Sequence, residues 1–190
     1  MLALPALLTL AALTVRPAVR ADLGSVASLC VDCFVDLPFP ALIYRPGAVD
    51  NWVAQLEERS ARPDCALLVA EASNQLVGCI EVGLLPPPPL GKAARPSEGD
   101  EPYVANVAVV PEARGGGVAT ALLGEADALC REWGFDRAFC KVARANIPAR
   151  RLYDLRGWQV CYLAGSDLYL CKDMAPVGEA APESSSDGAA

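Results

Sequence analysis

Residues 103–119, Tyr-Val-Ala-Asn-Val-Ala-Val-Val-Pro-Glu-Ala-Arg-Gly-Gly-Gly-Val-Ala, constrain this chain more than any other stretch. The run from Val104 to Val110 is short, rich in β-branched residues and uncharged, the pattern of a buried strand. Pro111 ends it, because proline lacks the N–H that a sheet ladder needs. Gly115, Gly116 and Gly117 then leave consecutive amides without a Cβ to shield them. Val118, Leu122, Ala126 and Cys130 recur at helical spacing, so a helix opens directly on the glycines. The first turn of a helix has N–H groups with no intrahelical acceptor, and the macrodipole adds partial positive charge there. The segment predicts a strand, a loop and a helix N-terminus suited to a pyrophosphate.

Two common glycine-rich phosphate loops do not fit. A kinase-type P-loop needs Lys followed by Ser or Thr, and here Val118 and Ala119 follow the last glycine. A dinucleotide fingerprint needs a sixth-place glycine, and the sixth residue from Gly115 is Thr120. Arg114-Gly115-Gly116-Gly117-Val118-Ala119 does match [QR]-x-x-G-x-[GA], and so resembles the pyrophosphate loop of the GNAT acyltransferases. Downstream, Asn146-Ile-Pro-Ala149-Arg-Arg-Leu152-Tyr153-Asp-Leu-Arg-Gly157-Trp158 is similar to the N-x-x-A-x-x-L-Y-x-x-x-G-[FW] segment of those enzymes.

The resemblance implies an α/β (mixed α+β) GNAT fold: a central twisted mixed sheet of about seven strands flanked by about four helices, splayed between the fourth and fifth strands. It implies direct transfer of an acetyl group from acetyl-CoA to a primary amine, without a metal. The pyrophosphate would lie over the amides of Gly115, Gly117, Val118 and Ala119, in the loop that Arg114 opens and Gly116 continues, with the Thr120 hydroxyl in reach. The pantetheine arm would run along Val107, Ala108 and Val109, bonded to main-chain groups of the first and last, while Asn146 approaches it from the loop before its helix. Asn146 is also a good N-cap. Tyr153 would be the general acid that protonates the departing CoA sulfur. Tyr103, at the start of the motif strand, would face the acceptor and take its proton, with Glu101 and Glu81 as alternatives acting through water. The chain has no His for that task. Tyr103 and the proline-stiffened loop favour a peptide acceptor, a protein N-terminus or a lysine. A small amine is the alternative enzyme reading, and a non-catalytic acetyl-CoA-binding module the reading from another class. A monomer or a homodimer is compatible with the family.

Around these motifs the 190 residues, 53% of them hydrophobic, suffice for a single core. Thr14 to Ala18 reads as an edge strand, since Pro17 excludes a central one. Asp22 reads as the N-cap of a helix carrying Leu23, Val26, Ala27, Cys30 and Phe34 inward. A second helix is predicted from Ala48 to Arg59, then a hairpin of Cys65–Glu71 and Leu76–Gly83 turning at Ser73-Asn74. The segment from Leu84 to Asp100, with prolines at 86–89, reads as a loop. A strand at Arg137–Val142, the Tyr153 helix, and strands at Gln159–Leu163 and Leu168–Cys171 follow. The acetyltransferase domain then spans residues 14–173, between an unassigned apolar leader at 1–13 and an acidic tail at 174–190 too polar to form a core.

The net charge of −7, with no basic stripe, argues against a nucleic-acid partner. The leader is too short to span a bilayer and has no basic flank, so no stable membrane association is expected. Eight cysteines spread through predicted helices and strands read as buried thiols of an intracellular, reducing compartment. Cys30 and Cys33 lack the second pair a zinc site needs. The cytoplasm is the expected location. Arg16 and Arg20, with no acid before Asp22, leave a plastid stroma open.

Overall fold

The computed structural model describes residues 13–35, 41–88 and 99–174. The expectations for residues 1–12, for 89–98 within the proline-rich segment, and for the tail from 175 onward lie outside these residues.

Strands β1 (Thr14–Pro17), β2 (Cys65–Ala72), β3 (Gln75–Leu85), β4 (Glu101–Val109), β5 (Arg137–Ala143), β6 (Gln159–Ala164) and β7 (Asp167–Asp173) form one sheet, ordered β1-β2-β3-β4-β5-β7-β6. Helices α1 (Leu23–Phe34) and α2 (Ala41–Ser60) precede β2, α3 (Val118–Glu132) joins β4 to β5, and α4 (Ile147–Leu155) joins β5 to β6. All neighbouring strands are antiparallel except β4 and β5, whose crossover through α3 makes them parallel. Among the described residues this is the expected mixed α/β architecture, with seven strands and four helices. β1 takes the edge, as Pro17 requires. Ser73 and Asn74 both adopt positive φ, 52° and 61°, the two-residue turn whose twist suits a hairpin.

The sheet separates two apolar layers. On one face Leu23, Val26, Ala27 and Cys30 of α1 and Leu56 of α2 pack on Leu67, Val69 and Cys79. On the other, Val118, Leu122, Leu123 and Ala126 of α3 and Tyr153 of α4 pack on Leu68, Ala70, Ile80, Val82, Val104 and Cys140. α3 also buries Asp127, paired with Lys172 of β7. Its inward face is therefore not wholly apolar.

Four local expectations need correction. Phe34, expected to point inward, lies at the last turn of α1, half exposed and stacked on Trp52 of α2. α2 starts at Ala41 rather than Ala48 and carries Pro46 inside. Contacts to α1 outweigh the break that Pro46-Gly47 suggests: Arg45 bonds to Asp32 Oδ2 at 2.8 Å and to Ser28 Oγ at 2.6 Å. Asp22 occupies the N-cap position of α1 but makes no side-chain cap bond there. Its carboxylate instead accepts from Val19 N at 2.7 Å and from Arg16, whose guanidinium holds it below the usual carboxylate range. Of the eight cysteines, all free, only Cys30, Cys79, Cys130 and Cys140 are fully buried.

Gly78 lets α3 approach the sheet. A Cβ there would meet Ala108 O and Val118 Cγ1 at 2.9 Å and Leu122 Cδ1 at 3.1 Å. Gly78→Ala is expected to cost about 1–3 kcal/mol, as overpacking does. Denaturant unfolding with an unchanged m-value would measure it.

Candidate active site

The site is the gap between β4 and β5. These strands pair only at Tyr103 with Phe139 and Val104 with Cys140. From Ala105 onward, the edge of β4 that faces β5 has no strand partner. Val107, Ala108 and Val109 lie along this open edge, held from the other side by β3 through the pairs Cys79–Ala108 and Gly78–Val109. A bulge accompanies the parting: Cys79 opposes Ala108 while Glu81 opposes Ala105, so β4 carries one extra residue. Asn106, in the bulge, has φ +51°.

The strand ends in the 3₁₀ turn Pro111–Ala113, and the glycine loop begins at Arg114. The Arg114 side chain turns back, with Nε 3.0 Å from Val109 O and Nη2 3.7 Å from Cys33 Sγ. It ties the loop to β4 and α1. Gly115 and Gly117 have φ +77° and +86°, conformations that favour glycine. The Gly116 amide donates to Ala113 O. Those of Gly115, Gly117, Val118, Ala119 and Thr120 find no main-chain acceptor among the described residues, and the first bond of α3 runs from Ala121 N to Gly117 O. Apart from the half-buried Ala119 and the buried Val118, which anchors the turn, the loop from Arg114 to Thr120 is exposed. The result is an open cluster of donors at a helix N-terminus, set at one end of the gap.

At the other end stand two phenols, on opposite faces of the sheet. Tyr153 projects from α4 into the α3/α4 layer, 6% exposed, its ring edge-on to Trp158 at 5.6 Å. Burial pushes its phenol well above the usual value, and the Cys140 thiol beside it adds to the rise. Asn146 caps α4 by accepting from Ala149 N at 3.2 Å. Tyr103 lies on the α1/α2 side, half buried, beside Tyr169 and Asp167, and its phenol is also raised, chiefly by burial. Tyr169 in turn meets Tyr162 at 5.9 Å between ring centroids.

Glu81, opposite Ala105 on the same face as Tyr103, is buried. Its Oε2 accepts from Asn106 Nδ2 at 2.8 Å, and Oε1 lies 3.5 Å from Cys65 Sγ. Arg59 Nε of α2 stands 2.6 Å from the same Oε1, an ion pair whose N–H is not aimed along the contact. Glu101, at the start of β4, is also buried, and its Oε2 has no hydrogen-bond partner. Among the described residues no group of carboxylates and thiols is arranged to hold a metal.

The structure thus brings Tyr103, Tyr153 and the β4 edge to one gap and sets the loop at its mouth. It adds Cys140, Asn106, Arg59, Tyr162 and Tyr169, which no sequence motif marks. Gly78 did carry a signal, since a glycine inside a strand often marks a close approach.

A mixed sheet that parts between parallel neighbours, with free amides at the mouth of the gap, is the architecture of the coenzyme A-dependent acyltransferases. A family model described as "Acetyltransferase (GNAT) family" matches residues 32–158. The chain belongs to that family of acetyltransferases. Similar solved structures include the PaiA N-acetyltransferase of Thermoplasma acidophilum in complex with coenzyme A, at TM-score 0.65 and 18% identity, covering 85% of this chain and 99% of that one. The ribosomal-protein-alanine N-acetyltransferase of Brucella melitensis gives 0.62 and 23%, with coverage of 85% and 99%. The yncA protein of Salmonella typhimurium, solved with its cofactor acetyl-CoA, gives 0.63 and 19%, with coverage of 91% and 99%. Among curated proteins, no sequence matches.

Proposed function

We propose that the chain transfers an acetyl group from acetyl-CoA directly to a primary amine, either a protein N-terminus or a lysine. The observation that carries the reading is the parted β4–β5 pair, with unpaired amides at its mouth and a buried phenol at its closed end. The pyrophosphate sits on the amides of Gly115 and Gly117 to Thr120, and the pantetheine arm takes the place of a neighbouring strand along Val107 and Val109. Asn146 closes over the arm. The amine nitrogen, approaching from the Tyr103 side, attacks the thioester carbonyl. A C–N bond forms, the C–S bond breaks, the amine proton leaves through water, and the sulfur takes the Tyr153 proton. The products are the acetamide and free CoA thiol, and Tyr153 is reprotonated from solvent.

Tyr153 is a weak acid in this setting, but the burial that raises its phenol also raises the basicity of a thiolate formed beside it. Tyr103, held protonated, orients the amine and does not take its proton. Glu101, with a carboxylate oxygen lacking a partner on the same face, is the better placed base. The half-buried tyrosines 103, 162 and 169 beside this end of the gap offer an aromatic floor suited to a peptide. A small amine would need fewer such contacts. Free cysteines and the acetyl-CoA requirement fit an intracellular, cytoplasmic location. No helix of the described residues is long and apolar enough to cross a membrane.

Incubating the protein with acetyl-CoA and panels of peptides or small amines, and following free thiol, tests the reading. Release with peptides is the expected result. Release only with small amines selects the alternative, and CoA binding without release leaves a binding module. In the same assay, log kcat is expected to rise with pH and then level off. It should show no falling limb near pH ~10, where an ordinary phenol loses its proton, because Tyr153 stays protonated there.

A further inference from the structure

Beyond the groups that face the coenzyme, a buried network runs from α2 to the bulge in β4. Glu81 is 6% exposed, and a carboxylate that far from water needs partners for its charge. Its partners are Arg59, Asn106 and Cys65. Asn106 is the informative one. It adopts φ +51° inside a strand, a conformation L-residues rarely keep unless their surroundings impose it. The surroundings do so here from both ends. The side-chain amide is held by Glu81 at 2.8 Å, and the carbonyl oxygen takes the Cys79 thiol at 3.6 Å. The kink lies two residues beyond Val104, the last residue of β4 paired with β5. Its geometry therefore decides where the open edge of β4 points.

We propose that Arg59, Glu81 and Asn106 are positioning residues for acetyl transfer. Glu81, paired with Arg59, fixes the Asn106 amide and with it the kink that aims the main-chain groups of β4 at the thioester. This rests on the acetyl-transfer reading above. None of the three needs to touch the reacting atoms. Displacing the strand by about 1 Å is enough to cost on the order of 10² in rate.

Asn106→Asp tests this, because it is nearly isosteric, tolerates positive φ and sets a carboxylate against Glu81. Turnover number is expected to fall about 30-fold or more, with the Kd for CoA within about threefold, since the pyrophosphate loop is untouched. The double variant Asn106→Asp with Glu81→Gln restores a donor to the pair and leaves an oxygen for Arg59. It should recover kcat to within about fivefold of the parent. Asn106→Gly, which keeps the kink and removes the tether without repulsion, should lower kcat by about tenfold. Deuterium exchange of the 101–110 segment should quicken in Asn106→Asp and return in the double variant, with the rest of the sheet unchanged.

Parental kcat in Asn106→Asp, no recovery in the double variant, or a loss of CoA affinity as large as the loss of rate would overturn the proposal. A wild type that releases no thiol with any amine would instead sink the transfer reading. The exchange measurement then still decides whether the network holds the bulge.

Discussion

Gly117→Asp is expected to abolish acetyl-CoA binding while leaving the fold intact. Gly117 has φ +86°, is exposed, and would meet no atom within 4 Å if it carried a Cβ, so sterics alone do not forbid a side chain. The cost of a left-handed L-residue is about 1–2 kcal/mol, and Asp is among the residues that bear it best. The larger effect is electrostatic. A carboxylate about 4 Å from one pyrophosphate charge is opposed by about 4 kcal/mol at an effective dielectric of about 20. That is close to three decades in Kd before the second charge is counted. Gly117→Ala carries only the backbone term and should weaken binding about fivefold to thirtyfold. Calorimetric titration of both variants separates the two contributions. Equal affinity for wild type and Gly117→Asp would mean that the loop does not bind the coenzyme.

Tyr153→Phe is expected to lower kcat by about 10²-fold and to leave the Kd for acetyl-CoA within about threefold. Only the hydroxyl is removed, so the ring keeps its edge-on contact with Trp158 at 5.6 Å and the core stays filled. The acid contributes about 10²–10⁴-fold, whereas holding amine and thioester together supplies an effective molarity of about 10⁵–10⁸ M. Residual turnover should therefore remain measurable. Acyl donors whose leaving thiol is more acidic than that of CoA should narrow the gap between the variant and the parent. Steady-state kinetics with a thiol reagent, beside calorimetric affinities, reads both quantities. Unchanged kcat would remove Tyr153 from the proton path. A parallel collapse of affinity would make it a packing residue.

What the sequence disclosed is what short-range chemistry specifies. The strand from Val104, the breaker at Pro111, the bare amides from Gly115 and the Asn146 cap each follow from neighbouring residues, and each stands where local pattern puts it. The Ser73-Asn74 turn is of the same kind. Features set by distant partners were not legible. Nothing near Asn106 announces a left-handed residue in a strand, because the reason lies 25 positions away at Glu81. Pro46 and Gly47 look like a helix boundary, yet the grip of Arg45 on α1 carries α2 across them. Asp127 falls on the inward face of α3 because Lys172, from the last strand, meets it there.

The most direct test of the account is a crystal structure of the protein with acetyl-CoA bound. The pyrophosphate should lie on the amides of Gly115 and Gly117 to Thr120, the pantetheine arm between β4 and β5, and the sulfur within hydrogen-bond reach of the Tyr153 hydroxyl. A coenzyme seated elsewhere, or a Tyr153 hydroxyl turned away from the sulfur, would contradict it.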